Sequence, residues 1–207
     1  MLYIFDKINL LDDDFPERNA SLLSEERKTK FRRLRSSENK KASVSVYLLL
    51  RLALLKEFGI TDIVEFSYAK NRKPFLRNFP KIHFNLSHSQ DVAACVISDV
   101  EVGVDVQQIR NVKENVAKRV LTDKEFDEYK SAQSQNEYFC KIWTIKESFL
   151  KWSGQGITTE LRDIEAETLT DIETFRGENY FCSVCGVVLK ETQLKYIGRE
   201  DFEQLII

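Results

Sequence analysis

Two stretches of helical period, each followed by alternating strand-like runs, limit this chain more than any other feature. The first spans Ser36 to Gly59. Ser36 suits an N-cap and Gly59 a stop, and Val44, Leu48, Leu52 and Leu55 recur as one apolar stripe. The second spans Phe139 to Gly154, FCKIWTIKESFLKWSG. Phe139, Trp143, Lys146 and Leu150 lie on one side, and Gly154 stands at the stop.

The segments around these two helices set the order of elements. Met1–Leu11 reads as a strand. Ser24 opens a helix to about Arg35, with Glu25 and Glu26 at the positive end of its dipole. Ile63–Tyr68 is a short strand and Lys70–Pro80 a polar loop. In Ile82–Ser87 the residues Ile82, Phe84 and Leu86 face one way, and His83, Asn85 and Ser87 the other. With Val92–Ile97 this run makes a hairpin across a turn at His88–Asp91. Val100–Gln107 is a strand and Lys113–Leu121 a helix. Thr122–Glu125 is a capping box opening a helix through about Tyr129. Strands follow at Ile164–Glu167, Phe175–Gly177, Tyr180–Leu189 and Lys195–Ile197, and DFEQLII closes the chain as a short strand or helix end. The order β-α-α-β-β-β, then β-α-α-α-β-β-β, predicts an α+β protein of two similar halves, 1–100 and 101–207. It argues against a doubly wound parallel sheet, and neither GxGxxG nor GxxxxGK[ST] occurs.

Charge narrows the function classes. The 207 residues are 43% hydrophobic, enough for a substantial core, and the net charge of -2 gives no overall attraction to nucleic acid. Yet Arg27–Lys41 holds eight basic residues against Glu38 alone, a local +7 that leaves -9 for the rest. Such a patch suits a phosphorylated ligand or an acidic partner, or else is a solvated helix face. The first residues, MLYIFDKINLLDDDFPERN, lack the pattern of a signal peptide. Arg51 interrupts Val44–Leu55, a run too short to span a bilayer. The expectation is a soluble cytoplasmic protein. Cys182 and Cys185 lie in a strand with no second CxxC and no histidine near them, so they read as buried structural thiols.

Three places could carry chemistry. Glu147 and Lys151 are one turn apart; seen alone they are a surface ion pair, worth about 0.3 kcal/mol. In Val102–Gln107 the valines share one face, and Gly103, Asp105 and Gln107 the other. Oxygen-bearing side chains beside a glycine that permits close approach suit a hard cation or a phosphate. If Asp105 meets Glu147, the two carboxylates make a first shell for Mg²⁺. Ser87 and His88 diverge on a strand and cannot act as a dyad, but both suit a phosphate. Pro74 holds Lys73 extended on a stiff loop.

NRKPFL, HFNLSHS, VGVDVQ and FCKIWTIKESFLK, in this order and at these spacings, resemble the phosphopantetheinyl transferases of the surfactin-synthetase-activating type. The W-x-x-K-E motif appears as Trp143, Lys146 and Glu147, with Gly154 following. The motifs cover Lys70 to Gly154, and LSEERKTKFRRL resembles the family's basic N-terminal segment. The resemblance implies a pseudo-dimeric α+β monomer binding coenzyme A between its halves. It implies Mg²⁺-dependent transfer of 4′-phosphopantetheine to a serine of an acyl, peptidyl or polyketide carrier protein. By position, Asp105 and Glu147 match metal ligands, with Gln107 where many members carry a second strand acid. Lys151 matches a residue at the pyrophosphate, and Ser87 and His88 match coenzyme phosphate contacts. Lys73, Arg27, Lys30 and Ser43 match further coenzyme contacts, and Glu125 falls where some members have a candidate base. Glu147 is the first choice to accept the serine proton, Lys151 assisting at the phosphate. The resemblance implies neither a nucleic-acid nor a membrane partner. Two other readings are a non-catalytic coenzyme or carrier binder, and a nucleic-acid binder built on Arg27–Lys41; the latter leaves Asp105, Ser87, His88 and Glu147 unexplained.

Overall fold

The computed structural model describes residues 1–156 and 160–206. The first half begins with β1 (Leu2–Phe5), a short α1 (Phe15–Arg18), α2 (Glu25–Arg33) and α3 (Ser37–Phe58). Strands β2 (Phe66–Tyr68), β3 (Pro74–Leu76), β4 (His83–Ser89) and β5 (Val92–Ser98) follow. The second half has β6 (Gly103–Gln108), α4 (Glu114–Val120), α5 (Asp123–Ser131), α6 (Gln135–Ser153), β7 (Ile172–Arg176), β8 (Tyr180–Cys185) and β9 (Leu194–Tyr196).

Most helix ends form where the sequence places them, but α6 opens at Gln135, one turn ahead of the expected Phe139. Ser24, Ser36 and Ser134 accept the backbone N–H of Arg27, Asn39 and Glu137. Gly59 and Gly154 close α3 and α6 at φ of 67° and 69°, a left-handed conformation in which glycine meets no Cβ penalty. Thr122 and Glu125 form both bonds of the capping box.

Strands order as β4-β5-β1-β9 in one sheet and β6-β8-β7 in another, with β2-β3 a separate hairpin. Pairing is antiparallel except between β1 and β9. This is the expected α+β class. One face of the first sheet (Tyr3, Phe5, Phe84, Cys95, Ile97) packs with Leu48, Leu49 and Leu52 of α3 in one core. Its other face (Leu2, Ile4, Ala94, Val96) packs with Val102, Val104, Val106, Cys182 and Val184 of the second sheet. Helix α6 lies along β6 and β8. A four-stranded sheet packed on α3 and a three-stranded sheet beside α6 therefore meet face to face. The C-terminal segment returns to the first half: β9 joins β1, and Phe202 stacks edge-on against Phe5 at 5.2 Å.

Some expectations change. Ile164–Glu167 is not a strand; a 3₁₀ turn at Leu161–Asp163 precedes it and another at Ala166–Thr168 overlaps its end, where Glu125 and Lys146 take up backbone groups instead of a sheet edge. The polar stretch Lys70–Pro80 contains β3, paired to β2. Strand β4 runs on through His88 and Ser89, so the hairpin turn is only Gln90-Asp91. The closing DFEQLII forms part of a 3₁₀ turn through Leu205, and Ile207 lies outside the described residues. All four cysteines are free and buried, as read for Cys182 and Cys185. No helix among the described residues is long and apolar enough to cross a membrane.

Candidate active site

The two sheets are joined by side chains. Asn85, Ser87 and Ser89 point from β4 toward β6 and replace a backbone ladder. The Asn85 amide oxygen accepts from Val104 N at 3.0 Å, Ser87 Oγ from Val106 N at 3.2 Å and Ser89 Oγ from Gln108 N at 3.1 Å. Every second residue of β4 satisfies a strand N–H that would otherwise be buried and unpaired. Sequence reading placed Asn85 and Ser87 on one face but missed this role. The signal is Asn85-x-Ser87-x-Ser89, a polar line beside a buried hairpin partner.

Asp105 sits on this seam. Its Oδ1 accepts from Ser87 Oγ at 2.9 Å and from Lys151 Nζ at 2.7 Å. Lys151 also donates to Ser87 Oγ and to the carbonyl of Val104, both at 3.0 Å. All three ammonium hydrogens are thus used on the seam, so Lys151 is paired with Asp105 of β6 and not with Glu147 one turn back. Asp105 Oδ2 is buried and has no hydrogen-bond partner among the described residues. Glu147, half-buried, makes no hydrogen bond or ion pair among the described residues. Burial and the Asp105 charge raise its pKa, against the opposing pull of Lys151. A buried carboxylate oxygen without a donor, whose charge is felt by a second, unpaired carboxylate, matches the needs of a divalent cation. Among the described residues no group of three His, Cys, Asp or Glu side chains converges, so two acids are what the chain offers.

Helix α6 reaches the seam because small and polar residues seat it. A Cβ on Gly103 would lie 2.1 Å from the Ser148 carbonyl oxygen and 2.4 Å from Trp152 N. The close approach this glycine permits is therefore that of α6, not of a ligand, which corrects the sequence reading. Thr144 and Ser183 share a 2.8 Å hydrogen bond beneath the helix. Lys146 is fully buried and donates to Glu125 at 2.5 Å and to the carbonyls of Val120 and Leu161. Glu125 also accepts from Thr122 N and Ala166 N. With both oxygens engaged and 2% of its surface exposed, Glu125 is a structural hub. Thr144, Lys146 and Ser148, each wholly buried, anchor the helix.

The cationic residues lie on the α3 side of β4. Arg27 is buried, with one nitrogen on Ser43 (3.0 Å to its carbonyl, 3.2 Å to Oγ) and its plane over Tyr47 and Phe66. Burial and the charges of Lys30, Lys151 and Arg27 lower the His88 pKa. Burial and Arg27 lower that of Lys30. In both, burial is the largest cause and cationic neighbours add to it, while Asp105 opposes it at His88 and Glu26 at Lys30. His88 lines a cavity of about 500 Å³ with Lys41, Asn39, Glu38 and Asp91. Glu147, Lys151, Asn85 and Lys73 line another of about 390 Å³. Gln107 stands apart from the second: its amide donates to the Gln108 carbonyl at 3.1 Å, and it borders a cleft of about 260 Å³ with Cys140 and Trp143.

A sequence model of the 4′-phosphopantetheinyl transferase superfamily matches residues 101–202. That segment carries Asp105, Glu147 and Lys151. Over that segment the chain is similar to this superfamily. A 4′-phosphopantetheinyl transferase of Bacillus subtilis is 28% identical over 70% of this chain and 66% of that enzyme, so the match spans just under two thirds of its length. The transferase gsp of Aneurinibacillus migulanus is 29% identical over 84% of this chain and 81% of its own. The transferase psf-1 of Bacillus pumilus is 34% identical over 58% of each. The crystal structure of holo-[acyl-carrier-protein] synthase from Thermotoga maritima, 19% identical, covers 41% of this chain and 61% of its own at a TM-score of 0.30, too low to bear on the fold.

Proposed function

We propose that this chain transfers 4′-phosphopantetheine from coenzyme A to a serine of an apo acyl, peptidyl or polyketide carrier protein, releasing adenosine 3′,5′-bisphosphate. The observation that carries the reading is the unpartnered, buried Asp105 Oδ2 beside Glu147, at the seam between halves 1–100 and 101–207. Asp105 and Glu147 would hold Mg²⁺, the coenzyme phosphates supplying further oxygens, while Gln107, turned to another cleft, would not reach it. Bound there, Mg²⁺ would neutralise the pyrophosphate as charge gathers on the departing bisphosphate.

The chain's own groups divide the remaining work. Ser87 and Lys151 fix Asp105 through its other oxygen, leaving Oδ2 for the cation. Lys151 brings a positive charge to the same point, where the pyrophosphate would lie. His88, Lys30, Arg27 and Ser43 would receive the coenzyme's remaining phosphate, and Lys73 the cleft side. The carrier serine oxygen attacks the phosphorus that bears the pantetheine oxygen, and the bond to the bridging pyrophosphate oxygen breaks. The serine proton passes to Glu147, whose raised pKa suits a proton acceptor. Arg32, Arg33 and Arg35 are exposed and form no ion pair among the described residues, which favours an acidic carrier on that side.

The test incubates the chain with coenzyme A, Mg²⁺ and each of several apo carriers, and reads the carrier by mass spectrometry. A phosphopantetheine mass gain is expected. Glu147→Gln and Asp105→Ala should lower the rate at least about 100-fold, the scale for losing a group acting in the transition state. The Glu147 side chain forms no hydrogen bond or ion pair among the described residues, so Glu147→Gln should melt within about 0.5 kcal/mol of the parent. No gain on any carrier would sink the proposal.

A further inference from the structure

The Lys73 ammonium is held before any ligand arrives. Its Nζ donates to Glu101 Oε2 at 2.5 Å and to the Trp152 carbonyl at 3.0 Å. The lysine side chain is only 14% exposed although it lies on a polar turn. Two of its three hydrogens are used in this way, and no other bond among the described residues takes the third. Lys73 lines the cleft that holds Glu147 and Lys151, and also a neighbouring cleft of about 480 Å³ bordered by Phe75, Phe84 and Trp152.

Glu101 is itself fixed. Its other oxygen lies 3.1 Å from His83 Nδ1. It stands where the chain crosses from the first sheet to the second. Burial raises the Glu101 pKa, but the Lys73 bond and the Lys73 and His83 charges outweigh this and leave it lowered, so the acid stays a carboxylate. The turn that carries Lys73 is docked as well. Asn71 Oδ1 accepts from Lys73 N at 3.2 Å, and a Cβ on Gly154 would lie 2.0 Å from Asn71 Nδ2. The turn therefore rests on the C-terminal end of α6, where a lysine favours the exposed carbonyls and the negative end of the dipole.

We propose that Glu101 is a positioning residue: with the Trp152 carbonyl it fixes Lys73 at the cleft, one hydrogen free, ready for a coenzyme phosphate. The inference rests on the transferase reading above. Its physics pulls two ways, and that makes it testable. A carboxylate beside Lys73 weakens the lysine's attraction for a polyanion, whereas fixing a long flexible side chain beforehand removes the ordering cost from the binding step. If Glu101 were only a counter-charge, removing it would tighten coenzyme binding. If it positions Lys73, removing it loosens binding.

The experiment compares the parent chain with Glu101→Gln, Glu101→Ala, Lys73→Ala and the double variant Glu101→Ala/Lys73→Ala. Steady-state transfer and hydrogen exchange over residues 69–76 are measured for each. The Glu101 variants should raise KM for coenzyme A about three- to tenfold with kcat within about twofold, and raise exchange in the turn. In the Lys73→Ala background the loss of Glu101 should leave KM unchanged, since it acts through Lys73. A lowered or unchanged KM, or the same rise in both backgrounds, overturns the inference while the parent chain still transfers. A parent chain that neither transfers nor binds coenzyme A overturns the transferase reading and this inference with it.

Discussion

Replacing Gly103 by alanine tests whether the seating of α6 governs the site. The added Cβ would stand 2.1 Å from the Ser148 oxygen, 2.4 Å from Trp152 N and 2.9 Å from Trp152 Cα. All three are helix backbone, which cannot swing aside as a side-chain tip can. Restoring an ordinary contact requires α6 to retreat by about 1 Å, against a close-packed interior. That motion stretches the 2.7 Å bond from Lys151 to Asp105 and the 2.8 Å bond from Thr144 to Ser183, and it draws Glu147 away from Asp105. Overpacking of this kind costs about 1–3 kcal/mol, or a fall in Tm of about 2–12 °C for a chain of this size. A misplacement of about 1 Å at reacting groups can cost about 100-fold in rate. The control is Gly59→Ala. Gly59 has φ of +67° with nothing within 4 Å of its Cβ, so the cost there is backbone strain of about 1–2 kcal/mol, far from the seam. Calorimetry and the carrier mass assay should show similar melting losses for the two variants and a rate loss for Gly103→Ala alone. Equal rates at equal stability would refute the argument that glycine packing sets the site.

Lys146→Met should destabilise the chain by about 3–5 kcal/mol in urea unfolding, because Glu125 would be left buried without its cation. Replacing Glu125 by leucine as well should recover only part of this, since the N–H groups of Thr122 and Ala166 then lose their acceptor. A Lys146→Met chain as stable as the parent would exclude the buried pair as the support of α6. His88 should titrate below the ordinary histidine value in the free chain, for burial and its cationic neighbours disfavour a second positive charge. A bound phosphate beside it favours the charged form, so coenzyme A should lift the pKa. By linkage, binding then takes up protons and tightens as pH falls between the free and bound values. Imidazole NMR titration with and without coenzyme A checks this, and an unmoved pKa would remove His88 from the anion site.

The local parts of this molecule were legible in its sequence. Ser36 and Gly59 bounded α3, Thr122 and Glu125 made their capping box, and the alternation in Val102–Gln107 placed Asp105 opposite the valine core. Caps, periodicity and strand alternation act within a few residues, so a short window of sequence contains their cause. The Glu147–Lys151 pair shows where that window ends. One turn of helix makes an ion pair look sufficient, yet Lys151 turns to Asp105 and Ser87, 46 and 64 residues away in sequence. Gly103 shows the same limit, since the neighbour that demands a glycine is a helix backbone far along the chain. The β4–β6 seam, the unpartnered Asp105 oxygen and the Lys73–Glu101 brace likewise arise only when the two sheets meet. Sequence alone determined the elements and the chemical types available. Tertiary structure decided which charges meet, because a buried ion takes the partner that packing brings within hydrogen-bond reach, not the nearest one along the chain.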